Sequence, residues 1–268
     1  MSTGLLDGKV AVVYGGGGAI GGATARVFAR EGARVFLAGR TLAKLDAVAR
    51  DISAAGGHAE VAALDIHDDR AVDAHADAVA AKAGRIDVML NAIGVAHVQG
   101  KPVAETTVSE FVDPITATAR SQFIPARAVS RHMAARRAGV ILTLTTPGGR
   151  LAGRGFLANG VFSAATEAFS RLLAAELGGQ GIRVVCLRPD ALLDAVEKSG
   201  ARDVFEGVSK RVGIPVHEML AERGRTATLL GRLPKLAEVA ECAAFVASDR
   251  AGPMTGAILN LTCGSLTD

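Results

Sequence analysis

The chain has 268 residues, of which 49% are hydrophobic and 21% are charged, and its formal net charge is +3. This length is enough to bury a large core, and the small, scattered charge excludes a nucleic-acid-binding surface. No stretch approaches the roughly 20 apolar residues of a membrane span, and the N-terminal MSTGLLDGKV lacks a signal-peptide pattern, so we expect a cytoplasmic protein without a membrane partner.

Short apolar runs rich in β-branched residues alternate with Ala-rich helical patterns along the chain. The predicted strands are residues 9–14, 34–39, 58–64, 86–90, 139–145, 182–188 and 257–261. The predicted helices are residues 19–31, 41–55, 69–83, 107–135, 158–178 and 236–248. Strands that are apolar throughout and separated by helices indicate a parallel sheet with helices on both faces. Right-handed crossovers then predict a single α/β domain over residues 1–268, a Rossmann-type doubly wound sheet of about seven strands.

A glycine-rich loop, YGGGGAIGG, joins the first predicted strand to the first predicted helix. Glycines allow a tight turn and let the backbone approach phosphates, and the helix N-terminus offers free N–H groups and a positive dipole end. We therefore predict that a dinucleotide pyrophosphate binds to Gly15, Gly17, Ala19, Ile20 and Gly21. The alternative is a glycine turn that no longer holds phosphate.

The second predicted strand ends in Ala38-Gly39-Arg40, where an NAD site would carry a carboxylate for the ribose 2′-hydroxyl. Gly39 supplies none, whereas Arg40 offers a planar cation to a 2′-phosphate. We predict NADP(H) as the cofactor, with a solvated surface arginine as the alternative.

The three cysteines, Cys186, Cys242 and Cys263, are far apart, and no histidine lies at metal-ligand spacing from them. Buried thiols in a reducing compartment are the simplest interpretation. We expect no metal site.

The loop pattern Gly15-x-x-x-Ala19-x-Gly21 resembles the TGxxxGxG motif of the short-chain dehydrogenase/reductase family. Tyr14 stands where that family commonly has Thr, and Ala19 replaces the middle Gly. The C-terminal LLGRLPKLAEVAECAAFVASDRAGPMTGAILNLTCG also resembles the family's closing pattern. The resemblance spans nearly the entire chain.

Further positions carry implied roles. The resemblance implies that Asp65 and Ile66 contact adenine, and that Asn91, Ala92 and Gly94 of the sequence NAIG border the cofactor as the family's NNAG motif does. It implies a small-molecule substrate or ligand. It also implies a homodimer or homotetramer formed through the two long helices at residues 107–135 and 158–178.

The resemblance implies four catalytic groups: a Tyr that exchanges a proton with the substrate oxygen, a Lys four residues later, a Ser that polarises this oxygen, and an Asn in the long helix. The matching positions of this sequence carry Asn159, Ser163, Thr146 and Thr118, respectively. A spacing of four residues places the first two on one helical face. All four expected groups are therefore replaced.

No shift of the alignment restores the Tyr–Lys pair. The only tyrosine is Tyr14, and no lysine occurs between Lys101 and Lys198. Neither an amide nor an aliphatic hydroxyl releases a proton near pH 7, and general acid catalysis is typically worth about 10²–10⁴-fold. We therefore expect the rate of ordinary ketone reduction to be greatly lowered. Asn159 and Ser163 either pack and cap the helix start or contact a ligand.

Several other groups border the expected pocket. His97, in the loop after the fourth strand, is the candidate for a substitute acid because its ordinary pKa lies near 7. Arg150 and Arg154, after the fifth strand, are candidates for clamping an anionic substrate. Asp190 stands where the family usually has Gly, near the nicotinamide end. A solvent-facing loop is the alternative for the first three.

Residues 190–235 are charged and lack a strand pattern. A long insertion after the sixth strand lies on the ligand side of such sheets, so we predict a substrate lid, with plain surface helices as the alternative.

Three functions stay open. The first is an NADP(H)-binding oxidoreductase with a non-standard site that acts on an activated C=C, C=O or C=N bond. The second is a catalytically degenerate homologue that serves as a ligand-binding or partner subunit. The third is a non-redox isomerase, cyclase or lyase.

Overall fold

Seven parallel strands form a single sheet in the computed structural model, which describes residues 4–198 and 201–267. The strands are β1 (Val10–Tyr14), β2 (Arg34–Gly39), β3 (His58–Ala63), β4 (Val88–Asn91), β5 (Gly139–Leu144), β6 (Ile182–Pro189) and β7 (Ala257–Leu261). Their order is β3-β2-β1-β4-β5-β6-β7. The strand order turns back between β1 and β4, and ligands of such sheets bind at this point, beyond the carboxyl ends of the strands. The predicted fold class is confirmed.

Helices cover both faces of the sheet. Within the described residues they are α1 (Ala19–Arg30), α2 (Leu42–Ala54), α3 (Asp69–Ala83), α4 (Val108–Arg136), α5 (Leu157–Gly178), α6 (Arg202–Val212), α7 (Val216–Ala227) and α8 (Leu236–Ala247). Helices α1, α2 and α8 contribute to one core, and α3, α4 and α5 contribute to the other. Of the helices in these residues, none is both long enough and apolar enough to cross a bilayer.

The sheet is apolar on both sides because each side meets a layer of helices. In β1, Ala11 and Val13 belong to the core formed with α1, α2 and α8, whereas Val12 and Tyr14 belong to the opposite core. Side chains alternate between the two faces of a strand, so a strand covered on both faces has no polar face. This explains the continuous apolar runs in the sequence.

The segment at residues 190–235 contains α6 and α7 and, in its described part, no strand.

Strand β4 begins two residues later than the sequence pattern predicts. The carboxylate of Asp87 accepts a hydrogen bond from the backbone N–H of Val10 at 2.9 Å, so this polar side chain links β1 to the residue before β4.

Candidate active site

The glycine loop lies tightly between the ends of β1 and β4 and the start of α1. Gly15 has a φ of +80°, and a Cβ on it would lie 2.6 Å from the carbonyl oxygen of Ala92. A Cβ on Gly21 would overlap the carbonyl oxygen of Gly15, and one on Gly17 would lie 2.9 Å from the Cβ of Lys44. Only glycine fits this conformation and these approaches. Ala19 opens α1, where a methyl group is accommodated.

The N-terminus of α1 leaves backbone donors uncommitted. Its N-cap is Gly18, which makes no side-chain cap, and its first turn contains no acidic residue. The N–H groups of Ala19, Ile20 and Gly21 have no intrahelical acceptor, as at the start of any α-helix. These N–H groups and the positive end of the helix dipole form an anion cradle.

A second polar cluster lies where β2 leads into α2. Arg40 and Lys44 are exposed, and neither forms a side-chain hydrogen bond or ion pair within residues 4–198 and 201–267. Thr41 is the N-cap of α2, yet its hydroxyl caps no backbone N–H. Sequence reasoning identified Arg40 but missed the other two. The signal was the Thr-x-x-Lys that follows Arg40 at a predicted helix start.

The two residues after β3 lie in different environments. Asp65 is exposed, and its carboxylate accepts a hydrogen bond from the backbone N–H of His67 at 3.0 Å. Ile66 is 5% exposed and packs in the core with α3, α4 and α5. Adenine contact by this pair stays a prediction.

Asn91 joins β4 to α4. Its amide nitrogen donates to the carbonyl oxygen of Ser121 at 2.8 Å and to Oε1 of Gln122 at 2.9 Å, and its Oδ1 accepts from the N–H of Ile93 at 3.2 Å. Asn91 is 1% exposed. Its side chain therefore holds the strand end in place, while Gly94 leaves open space where a Cβ would stand.

A chain of hydrogen bonds brings together four of the sequence-predicted site residues. Thr146 contacts Ser163 Oγ at 2.8 Å and Asn159 Oδ1 at 3.1 Å through its hydroxyl oxygen. The Nδ2 of Asn159 lies 3.3 Å from Nε2 of His97, and Nδ1 of His97 lies 2.9 Å from the carbonyl oxygen of Val95. We call these four side chains, Ser163, Thr146, Asn159 and His97, the polar chain.

The hydrogen-bonding partners determine which atom donates and which accepts at each contact of the polar chain. A carbonyl oxygen only accepts, so Nδ1 of His97 carries the proton, and Nε2 accepts from the amide of Asn159. The Asn159 oxygen then accepts from Thr146, whose own oxygen accepts from Ser163 and from the N–H of Gly148 at 3.2 Å. A Cβ on Gly148 would overlap the Asn159 amide, so this glycine makes room for it. The arrangement requires a neutral imidazole, and burial lowers the pKa of His97 accordingly.

One donor of the polar chain is unused. Asn159 has two amide hydrogens, and only the one directed to His97 is engaged within the described residues. Asn159 is 3% exposed, and the ring of Phe162 meets His97 edge-on at 5.0 Å between centroids. The polar chain therefore offers one free, preorganised amide N–H, and its amide and two hydroxyl groups are not acidic near pH 7.

Comparison with known proteins decides the family. A family model described as enoyl-(acyl carrier protein) reductase matches residues 17–265. The chain belongs to the short-chain dehydrogenase/reductase family. It is 30% identical over 259 residues to a D-threitol dehydrogenase of Mycolicibacterium smegmatis, covering 97% of this chain and 93% of that protein. It is 32% identical over 261 residues to a galactitol 2-dehydrogenase (L-tagatose-forming) of Cereibacter sphaeroides, covering 97% and 95%.

Solved structures agree with this membership. A dehydrogenase/reductase from Sinorhizobium meliloti aligns with a TM-score of 0.81 at 26% identity, covering 99% of this chain and 98% of that chain. The protein is therefore a short-chain dehydrogenase/reductase, an oxidoreductase of a family that uses a nicotinamide cofactor.

The only tyrosine of this short-chain dehydrogenase/reductase lies apart from the polar chain. Tyr14 is fully buried, and its hydroxyl approaches Nδ1 of His75 on α3 at 3.4 Å. Burial raises the pKa of this phenol.

Thr118 is also outside the polar chain. It is 7% exposed, its hydroxyl makes no hydrogen bond in the described residues, and its carbonyl accepts a hydrogen bond from the hydroxyl of Ser121 at 3.0 Å.

Asp190 of this short-chain dehydrogenase/reductase is fully engaged by its own chain. Its carboxylate accepts from Nε and Nη2 of Arg223 at 3.0 and 2.8 Å, from Oγ of Ser265 at 2.5 Å and from the N–H of Ala191 at 2.7 Å. The sequence places this carboxylate near the nicotinamide end. Its partners show that it links β6 to α7 and to the turn after β7.

Proposed function

We propose that this short-chain dehydrogenase/reductase is an NADP(H)-dependent oxidoreductase with a non-standard active site, acting on a small molecule with an activated C=C, C=O or C=N bond. The observation that carries the proposal is the polar chain at the carboxyl edge of the sheet, the edge that also carries the anion cradle. Among the three bonds, a conjugated C=C suits the residues present best, as the next paragraphs argue.

The chain's own residues fit a nicotinamide dinucleotide. The N–H groups of Ala19, Ile20 and Gly21 would hold the pyrophosphate. The backbone of Ala92 packs against Gly15, where a Cβ would otherwise stand, and this contact helps to fix the conformation of the loop. The bound cofactor supplies or accepts a hydride. Asp65 and Gly94 are proposed to line the adenosine and ribose ends.

Preference for NADP(H) follows from the cluster at the start of α2. Arg40, Thr41 and Lys44 carry a guanidinium, a hydroxyl and an ammonium at the junction of β2 and α2, and these groups have no partners in the described part of the chain. A 2′-phosphate would satisfy all three, whereas a 2′-hydroxyl would leave both cations unpaired.

The polar chain suits a reaction in which negative charge collects on a substrate oxygen. The free N–H of Asn159 is proposed to donate to that oxygen, as one donor of an oxyanion hole does, while the Thr146 hydroxyl, whose hydrogen is directed to Asn159 Oδ1, holds the amide in place. One such donor is typically worth about 10²–10³-fold in rate. In a conjugated C=C substrate, hydride addition moves charge to a remote oxygen, and the carbon proton can come from water. No strong acid is then needed at Asn159.

His97 and Ser163 are proposed to hold this donor in place, His97 directly and Ser163 through Thr146. His97 accepts from one amide hydrogen of Asn159 and so directs the other hydrogen elsewhere, while Ser163 donates to Thr146. The family description as an enoyl reductase accords with reduction of a C=C bond, although the two relatives described above are named as a D-threitol dehydrogenase and a galactitol 2-dehydrogenase.

A second candidate is a ligand-binding or partner subunit without turnover. The observation that favours it is the saturation of Thr146, whose hydroxyl already donates to Asn159 and accepts from Ser163 and Gly148. A substrate oxygen would have to displace one of these contacts.

Calorimetric titration with NADPH and NADH tests the cofactor, and turnover of an enone tests the reaction. We expect NADPH to bind at least about tenfold more tightly than NADH, and Arg40→Ala to remove most of that difference. The matched control is Arg50→Ala, an exposed arginine on α2 whose side chain, among the described residues, hydrogen-bonds the carbonyl of Asp46 alone. Equal affinities for the two cofactors would contradict the NADP(H) assignment. Binding without turnover of ketones, enones and imines would establish the second candidate.

A further inference from the structure

Two loops cross beside the polar chain. The N–H of Gly100, in the loop after β4, donates to the carbonyl of Gly155, in the loop after β5, at 2.9 Å. Both glycines have positive φ, +77° and +78°, and a Cβ on Gly155 would overlap the backbone of Gly100. Backbones approach this closely only where side chains are absent. The crossing is therefore a built feature of the fold.

The crossing is adjacent to the proposed reaction site. His97 is three residues before Gly100, and Asn159 is four residues after Gly155. At about 3.6 Å per residue, the crossing lies at most about 11 Å from His97. A substrate that reaches Asn159 with one end can therefore reach the crossing with the other.

Two arginines flank the crossing. Arg154 directly precedes Gly155. Arg211, in the last turn of α6, places its Cδ and Nε 3.6 and 3.8 Å from the position that a Cβ on Gly100 would occupy. The two residues come from different elements, so only the folded chain brings them to the same crossing.

These arginines are free of ion pairs. Within residues 4–198 and 201–267, neither Arg154 nor Arg211 has a side-chain hydrogen bond or an ion pair, and both are exposed. Two sets of nearby charges are paired within their own segments. Lys101, next to the crossing, bonds Glu110 at 2.8 Å. The acids of the α6 region surround Arg202 at the other end of that helix: Glu197, Asp203 and Glu206.

We infer that the substrate carries a carboxylate or phosphate group, which Arg154 and Arg211 bind at the Gly100–Gly155 crossing while the reactive bond lies at Asn159. The inference rests on the proposed function. Guanidinium groups bind both anions through paired, charge-assisted hydrogen bonds. Because Arg211 belongs to α6, this helix of the segment at residues 190–235 would contribute directly to the substrate site.

Three matched probes test this: benzalacetone, its para-carboxylate and its para-phosphate ester. Each is titrated calorimetrically into protein saturated with NADP⁺. We expect at least one anionic probe to bind about tenfold or more tightly than the neutral probe. The better of the two distinguishes a carboxylate substrate from a phosphate-bearing one.

Variants assign the effect to the crossing. Arg154→Gln and Arg211→Gln should each remove most of the preference for the anionic probe. Arg171→Gln should leave it intact, because Arg171 is an exposed arginine on α5 that has no ion pair in the described part of the chain. Equal affinity for the three probes, or no binding of any of them, would overturn the inference. NADPH affinity and its dependence on Arg40, measured on the same preparations, report on the proposed function separately.

Discussion

At the scale of single residues, the proposed reaction depends on the chemistry of the side chain at position 159. A phenol and an amide both donate hydrogen bonds, but a phenol can also lose its proton, with an ordinary pKa of about 10, and an amide cannot. Asn159 can therefore stabilise charge on an oxygen without protonating it. This difference is the physical reason for proposing an activated double bond instead of a simple ketone.

The buried imidazole of His97 leads us to predict that the stability of the protein depends on pH. Burial lowers its pKa below the ordinary 6.5, and the hydrogen bond to the Val95 carbonyl opposes this only in part. Between about pH 6.5 and the folded pKa, the unfolded chain binds the proton and the folded chain does not. The free energy of unfolding should therefore fall as the pH drops through this window.

The matched variant is His97→Gln, which cannot titrate. Urea denaturation at several values between about pH 7.5 and pH 5 should show a smaller decline for the variant than for the wild type. His75, whose pKa burial lowers to about 4, is present in both proteins and cancels in the comparison. Parallel curves would show that His97 has the same pKa in both states.

At the scale of secondary-structure elements, the buried carboxylate of Asp190 links α7 to the sheet. The side chain of Asp190 is 3% exposed and that of Arg223 is 29% exposed, and their two hydrogen bonds join the end of β6 to the middle of α7. Leu220 of α7 packs with Val196 and Leu233 in a small separate core. The segment at residues 190–235 therefore contains an anchored helix, α7, next to the helix that supplies Arg211.

We predict that Arg223→Gln accelerates amide hydrogen exchange in α7 by at least about tenfold, because removing one partner leaves the buried carboxylate uncompensated. Exchange in α8 should change little. Arg225→Gln is the control, since Arg225 is on the same helix and pairs with Glu222 in an exposed position. Unchanged α7 protection in Arg223→Gln would mean that apolar packing alone holds this helix.

At the scale of the whole molecule, the two long helices carry exposed apolar side chains. Phe123 on α4 is 54% exposed and Leu172 on α5 is 68% exposed. Large apolar side chains on neighbouring helices are typical of a protein–protein interface. We propose that a second copy of the chain covers this face, giving a homodimer or homotetramer.

Light scattering on the purified protein tests this assembly. Phe123→Glu and Leu172→Glu should each lower the measured mass toward that of one chain, because a charge buried at an interface is costly. Val212→Glu alters a 52% exposed residue of α6, outside this face, and should keep the wild-type mass. A monomeric wild type would refute the proposal.

The sequence alone determined the sheet, the glycine loop and the absence of a Tyr–Lys pair. Strand and helix periodicities are local, and the glycines are required by the turn and by the close approach of Ala92 and Gly15. The composition of the middle of the chain also establishes which acidic groups are missing there.

Only the tertiary structure decided which groups meet. His97 and Asn159 are 62 residues apart, and their contact depends on how the loops after β4 and β5 approach each other across the sheet edge. The position of Asp190 in the sequence suggested a carboxylate that was available to a ligand. In the structure this carboxylate is paired with Arg223, 33 residues later. Periodicity encodes an element and its buried face, whereas pairings between distant loops depend on the packing of all the elements between them.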